Sequence, residues 1–128
     1  MKLLAVAVGG ALGSVLRYAV GVLWIGAGAT GFPWGTLLVN VTGSFALGFL
    51  ARWFSPTSAS SPLVLLLTVG VCGGYTTFST FTLETFALVE RGAWLRAAGY
   101  VLASVAVSYL ALALGYSLAR MNASVAGP

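Results

Sequence analysis

The side chains able to do chemistry in this sequence are few, and they interrupt apolar runs. Arg17 stands beside Tyr18 in a run that extends from Leu3 to Ile25. Asn40 lies within Val39-Asn40-Val41-Thr42-Gly43-Ser44. Phe78 and Phe81 are set among hydroxyl residues in Cys72-Gly73-Gly74-Tyr75-Thr76-Thr77-Phe78-Ser79-Thr80-Phe81-Thr82, and Glu84 follows. Tyr100, Ser104 and Ser108 recur every four positions in a last apolar stretch. That spacing places them on one slowly drifting stripe of a helix face.

Each group has two readings. Arg17 either snorkels to a membrane interface or fixes a positive charge at the mouth of an anion path. Asn40 offers two donors and one acceptor, suited to gluing helices together or to donating hydrogen bonds to a partly dehydrated anion. Phe78 and Phe81, about 60° apart around a helix, are either packing residues or present positive ring edges to an anion beside a polar path. Glu84, the sole acid at membrane depth, belongs to an interface or to a polar network at a pore end; a proton-coupled carrier would also want such a group.

None of this resembles a catalytic apparatus. His is absent and Cys72 is alone, which removes an intrachain disulfide, a Cys/His zinc site and a His-based relay. A nucleophile needs a base within reach, and Lys2 and the two Glu residues are poorly placed to be one. The reading is not an enzyme.

The elements that position these groups follow from composition. Of 128 residues, 59% are hydrophobic and 6% charged, with a net charge of +4 and mean hydropathy of +1.01. A soluble domain carries about a quarter charged residues. Four spans of about 20 residues use about 80 and leave short loops, whereas a membrane barrel would show repeated alternation. The basic residues form no cluster, so neither nucleic acid nor an anionic lipid patch is indicated. The start, Met1-Lys2-Leu3-Leu4, looks like a signal peptide, but the apolar run outlasts one and reads as a first span.

The spans are expected over about 3–25, 34–54, 63–89 and 94–118, in one all-α membrane domain. Trp34 and Trp53 mark the edges of the second span. Gly26–Pro33 and Ser55–Pro62 read as loops, and no role follows for the tail Asn122–Pro128. The third span is irregular. Leu63–Val71 covers only about 14 Å as a helix, too short to cross. Two glycines and five hydroxyl side chains then precede Leu83–Val89. This predicts a helix broken at about 72–80 near the midplane, which survives only packed in protein or lining a polar cavity.

Gly9 and Gly13, Gly10 and Ser14, and Ser44 and Gly48 are each four apart, a spacing that lets helices approach closely. Four helices enclose little interior, so a polar path predicts a homodimer. With four spans, Lys2, Arg52 and Arg120 lie on one side, Arg91 and Arg96 on the other. So small a bias barely fixes orientation and points to an antiparallel, dual-topology dimer.

The motifs carry a resemblance across all four spans. Gly9-Gly10-Ala11-Leu12-Gly13 with Arg17-Tyr18, Gly35-Thr36-Leu37 with Val39-Asn40, and Gly73-Gly74-Tyr75-Thr76-Thr77-Phe78-Ser79-Thr80-Phe81 are similar to the Fluc (CrcB-like) fluoride channels. Thr76 to Phe81 is the specific part. The resemblance implies a multi-pass protein of the cell inner (plasma) membrane. It would be an antiparallel homodimer with two pores that passively exports fluoride, with lipid around it. It implies that Phe78 and Phe81 face the ion, with Asn40 and Thr77 on the pathway and Arg17 near a vestibule. Tyr100, Ser104 and Ser108 would form a hydroxyl track, and Glu84 would be the acid after the break. The backbone carbonyls of Gly73 and Thr76 would hold a structural sodium ion (Na+) at the dimer centre. Selectivity against chloride comes from the resemblance alone. The rivals are a dual-topology small multidrug-type transporter, which needs an acid in the first span where only Arg17 stands, and a non-transporting assembly subunit.

Overall fold

Apolar runs this long become helical because a helix satisfies every backbone N–H and C=O within the run itself. The computed structural model describes residues 1–25, 31–54 and 59–125. The parts of the expected loops at 26–30 and 55–58, and the last three residues of the expected tail, lie outside them.

All regular structure among the described residues is helical: α1 Lys2–Ile25, α2 Trp34–Trp53, α3 Pro62–Leu65, a π-helical stretch Leu66–Cys72, α4 Gly73–Tyr75, α5 Phe78–Glu90 and α6 Trp94–Val125. Four stretches are long and apolar enough to cross a membrane: Lys2–Leu23, Trp34–Trp53, Pro62–Glu90 and Trp94–Met121. In the most apolar part of each, only 17–22% of the residues are buried within the chain, which leaves apolar side chains exposed along all four. The third stretch starts on Ser61, whose side chain accepts from the Val64 N–H at 3.3 Å, with Pro62 in the first turn where its missing N–H does no harm.

Non-helical backbone in that stretch is confined to Thr76 (φ −80°, ψ 158°) and Thr77 (φ −152°, ψ 122°). It is narrower than the 72–80 interval expected from the glycines, for a packing reason. Gly73 and Gly74 stay helical, and a Cβ on Gly74 would meet the Gly10 carbonyl of α1. The glycine there answers a close helix approach and does not interrupt the helix.

α2 packs along α6 in the most extensive pairing of the fold, and α1 lies against the π-helical stretch and α4. α2 and α6 touch backbone to backbone: a Cβ on Gly48 would meet the Leu112 carbonyl, and one on Gly115 the Phe45 carbonyl. Where α5 returns against α6, Phe81, Leu88, Ala97 and Tyr100 form a buried cluster. Overpacking a tight contact typically costs about 1–3 kcal/mol. Gly48→Ala is therefore expected to lower the thermal unfolding midpoint of the purified protein, and an unchanged midpoint contradicts the close α2–α6 approach.

Candidate functional site

Two extended residues within a run of helices leave peptide groups without helical partners, and side chains from other elements supply them. Asn40 of α2 pairs with Thr77 in both directions. Its Nδ2 donates to the Thr77 carbonyl at 3.1 Å, and its Oδ1 accepts from the Thr77 N–H at 2.8 Å. In a continuous helix that N–H would go to the Gly73 carbonyl, four residues back. Thr77 itself caps α5, its Oγ1 accepting from the Thr80 N–H at 3.2 Å. That donor would otherwise serve the Thr76 carbonyl. Thr76 ends α4, its N–H and its Oγ1 both donating to the Cys72 carbonyl at 3.0 Å. From α1, the Arg17 Nε donates to the Gly74 carbonyl at 3.1 Å. Arg17 is thus tied to the end of α4 across 57 residues of sequence, a link that no local pattern signals.

Thr77 stands between two cavities. One, of about 320 Å³, is lined by Arg17, Thr36, Thr77, Thr80 and Glu84 among others. The other, of about 260 Å³, is lined by Asn40, Ser44, Thr76, Thr77, Phe78, Phe81, Ser104 and Ser108 among others. Of the residues singled out in the sequence, the second cavity brings together Asn40, Thr76, Thr77, Phe78, Phe81, Ser104 and Ser108. The first gathers Arg17 and Glu84. Gly73 lines neither but lies directly before the pinned segment.

The aromatic residues form a chain. Phe78 and Phe81 have ring centroids 5.5 Å apart at 45°, and Phe81 and Tyr100 are 5.2 Å apart at 54°. Phe81 is buried, but Phe78 is 76% exposed in the single chain. Tyr100 is fully buried and joins the second cavity's wall to the first cavity, since its hydroxyl donates to Glu84 Oε2 at 2.7 Å. Glu84 Oε1 accepts from Thr36 Oγ1 at 2.8 Å. Both carboxylate oxygens are therefore held by neutral hydroxyls from α2 and α6. Thr36 is the partner that the sequence reading missed. The signal was present in the four-residue spacing of Thr36, Asn40 and Ser44, the same spacing that marked Tyr100, Ser104 and Ser108.

Ser104 and Ser108 differ from other hydroxyl residues of the helices. Thr42, Thr68, Thr85 and Ser117 donate back to the carbonyls of Leu38, Val64, Phe81 and Ala113 at 2.7–2.8 Å, the usual resort of a hydroxyl in an apolar helix. Ser104 Oγ and Ser108 Oγ are the two buried side-chain polar atoms without a hydrogen-bond partner among the described residues. A buried hydroxyl in that condition calls for an explanation such as a bound ion or water. Chemically, the second cavity offers hydroxyl donors, an amide and the rings of two phenylalanines, with no carboxylate in its wall. The Glu84 clasp gives a direct check: Tyr100→Phe keeps the ring but strips one carboxylate oxygen of its donor, at a cost of about 1–3 kcal/mol. A lowered thermal midpoint is expected, and an unchanged one contradicts the bond.

The sequence is similar to known proteins along nearly its whole length. Residues 4–116 match the family model described as CrcB-like protein, Camphor Resistance (CrcB). A protein of Nitrobacter winogradskyi named "Fluoride-specific ion channel FluC" is 50% identical over 127 residues, covering 93% of this chain and 95% of that one. Proteins of the same name from Rhizobium meliloti and Chelativorans sp. are 50% and 51% identical over 119 and 122 residues, each covering 92% of this chain and 95% of the relative. A family match spanning all four membrane-capable stretches, with half-identical relatives along nearly their whole length, places the chain in the CrcB-like protein family.

Proposed function

We propose that this chain is a fluoride-selective channel that passively lets fluoride out across the cell inner membrane. It would work as an antiparallel homodimer with two pores. The relatives are named as fluoride-specific ion channels. The observation that carries the reading to this chain is the pair of unpartnered hydroxyls, Ser104 and Ser108, beside Phe78 and Phe81 in a cavity without a carboxylate. A small, strongly hydrated anion crosses an apolar layer only if donors replace its water. Hydroxyls, the Asn40 amide and ring edges are such donors, each weak enough singly to let the ion leave.

Support for the dimer comes from exposure. Phe78 lines the cavity yet is 76% exposed in one chain, so a second copy would complete the wall. The near-even split of basic residues between the two faces supports opposite insertion of the two copies. Support for a central Na+ comes from the carbonyls of Gly73 and Thr76, whose helical donors are engaged elsewhere. A two-fold axis would bring four such hard, neutral oxygens to one ion, and oxygen ligands of this kind suit it. The multidrug-transporter reading finds no acid in α1, and Glu84 is already clasped by Thr36 and Tyr100.

Hydrogen bonds to a charged ligand are worth about 1.5–3 kcal/mol each. The double variant Ser104→Ala/Ser108→Ala, reconstituted in liposomes, is expected to conduct fluoride at least about tenfold more slowly than the parent protein. Equal rates would remove the hydroxyls, and the cavity with them, from the ion's path.

A further inference from the structure

The interruption in the third membrane stretch is built by diverting two backbone donors. The Thr77 N–H is captured by Asn40 Oδ1 at 2.8 Å and the Thr80 N–H by Thr77 Oγ1 at 3.2 Å. In an unbroken helix these two donors would close on the carbonyls of Gly73 and Thr76. Of the two carbonyls between them in sequence, that of Gly74 accepts from the Arg17 Nε at 3.1 Å. The side chains around the break therefore treat these carbonyls differently. That of Gly74 is given to a cation of the protein itself, and those of Gly73 and Thr76 have their own amide donors withdrawn. Neither diverting bond touches those two oxygens, so each acts at one remove.

We propose that Asn40 and Thr77 are positioning residues for a monovalent cation site, holding the Gly73 and Thr76 carbonyls open by taking away the amides that would otherwise occupy them. The inference rests on the reading that Na+ sits at these oxygens, and it assigns to Asn40 a task distinct from contact with an anion. The amide of Asn40 is suited to it. One end accepts the diverted N–H, while the other donates to the Thr77 carbonyl at 3.1 Å and fixes the peptide in its extended form. Losing the acceptor lets the Thr77 N–H swing back toward Gly73. Losing the Thr77 hydroxyl does the same for the Thr80 N–H and Thr76. Substituting residues that orient metal ligands without touching the metal typically weakens binding about 10–100-fold.

The test reads cation affinity without reading conduction. Purified full-length protein is titrated with Na+ in a buffer of a large organic cation, and the sodium-dependent rise in thermal midpoint gives a half-saturating concentration. That concentration is insensitive to a uniform loss of stability. Asn40→Ala and Thr77→Val are each expected to raise it by about tenfold or more. Thr77→Ser, which keeps the cap, is expected to retain the parent value. If Asn40→Ala does not fold, the Thr77→Val and Thr77→Ser pair decides the matter. Parent-like half-saturation in Thr77→Val and in any folded Asn40→Ala overturns this proposal alone. A parent protein that Na+ does not stabilise overturns the sodium reading and this proposal with it.

Discussion

The reciprocal pairing of the Asn40 side chain with the Thr77 backbone is the contact on which the surrounding structure depends. In an apolar layer a peptide group outside a helix must find a partner, because no water is there to supply one. Asn40 presents an N–H and a C=O side by side, much as a neighbouring strand would, and both are used. With the peptide held, the Thr77 hydroxyl is placed to start α5. α5 in turn carries Phe78, Phe81 and Glu84 to the two cavities. Removing the pairing would leave an unsatisfied peptide and would also free the direction in which α5 sets out.

Around this contact the helices divide the remaining work. α1 supplies Arg17, which takes the Gly74 carbonyl at the end of α4. α2 supplies Thr36 as well as Asn40, and α6 supplies Tyr100, so that Glu84 is gripped from two sides. The glycine contacts bring α2 and α6 together further along their length. The donors left over, Ser104 and Ser108, face the cavity beside the aromatic pair. Thr36 and Tyr100 thus spend their hydroxyls on Glu84, whereas those of Ser104 and Ser108 find no partner among the described residues.

Much of this was legible in the sequence, for reasons that differ by residue. The four membrane-capable helices follow from run length and from tryptophans at the edges, quantities that are local along the chain. The hydroxyl stripe of α6 follows from a four-residue period. The adjacent glycines Gly73 and Gly74 suggested a break at their own position, but both remain helical, Gly74 gives α1 room, and the extended backbone falls on Thr76 and Thr77. Glycine is ambiguous from sequence because backbone freedom and the lack of a side chain look alike there. The partners of Arg17 and Asn40 were out of reach because they are backbone atoms 57 and 37 residues away. Side-chain type shows what a residue can bond, but only the packing of helices shows which peptide group it meets.

On the proposed reading, the cavity between Asn40, the two Phe rings and the α6 serines passes fluoride and not larger halides. That reading is tested most directly by anion efflux from liposomes holding the purified protein, with fluoride and chloride measured in the same preparation. Rapid fluoride release without a proton gradient is expected, while chloride stays trapped. No fluoride release, or release of chloride at a matching rate, would contradict it.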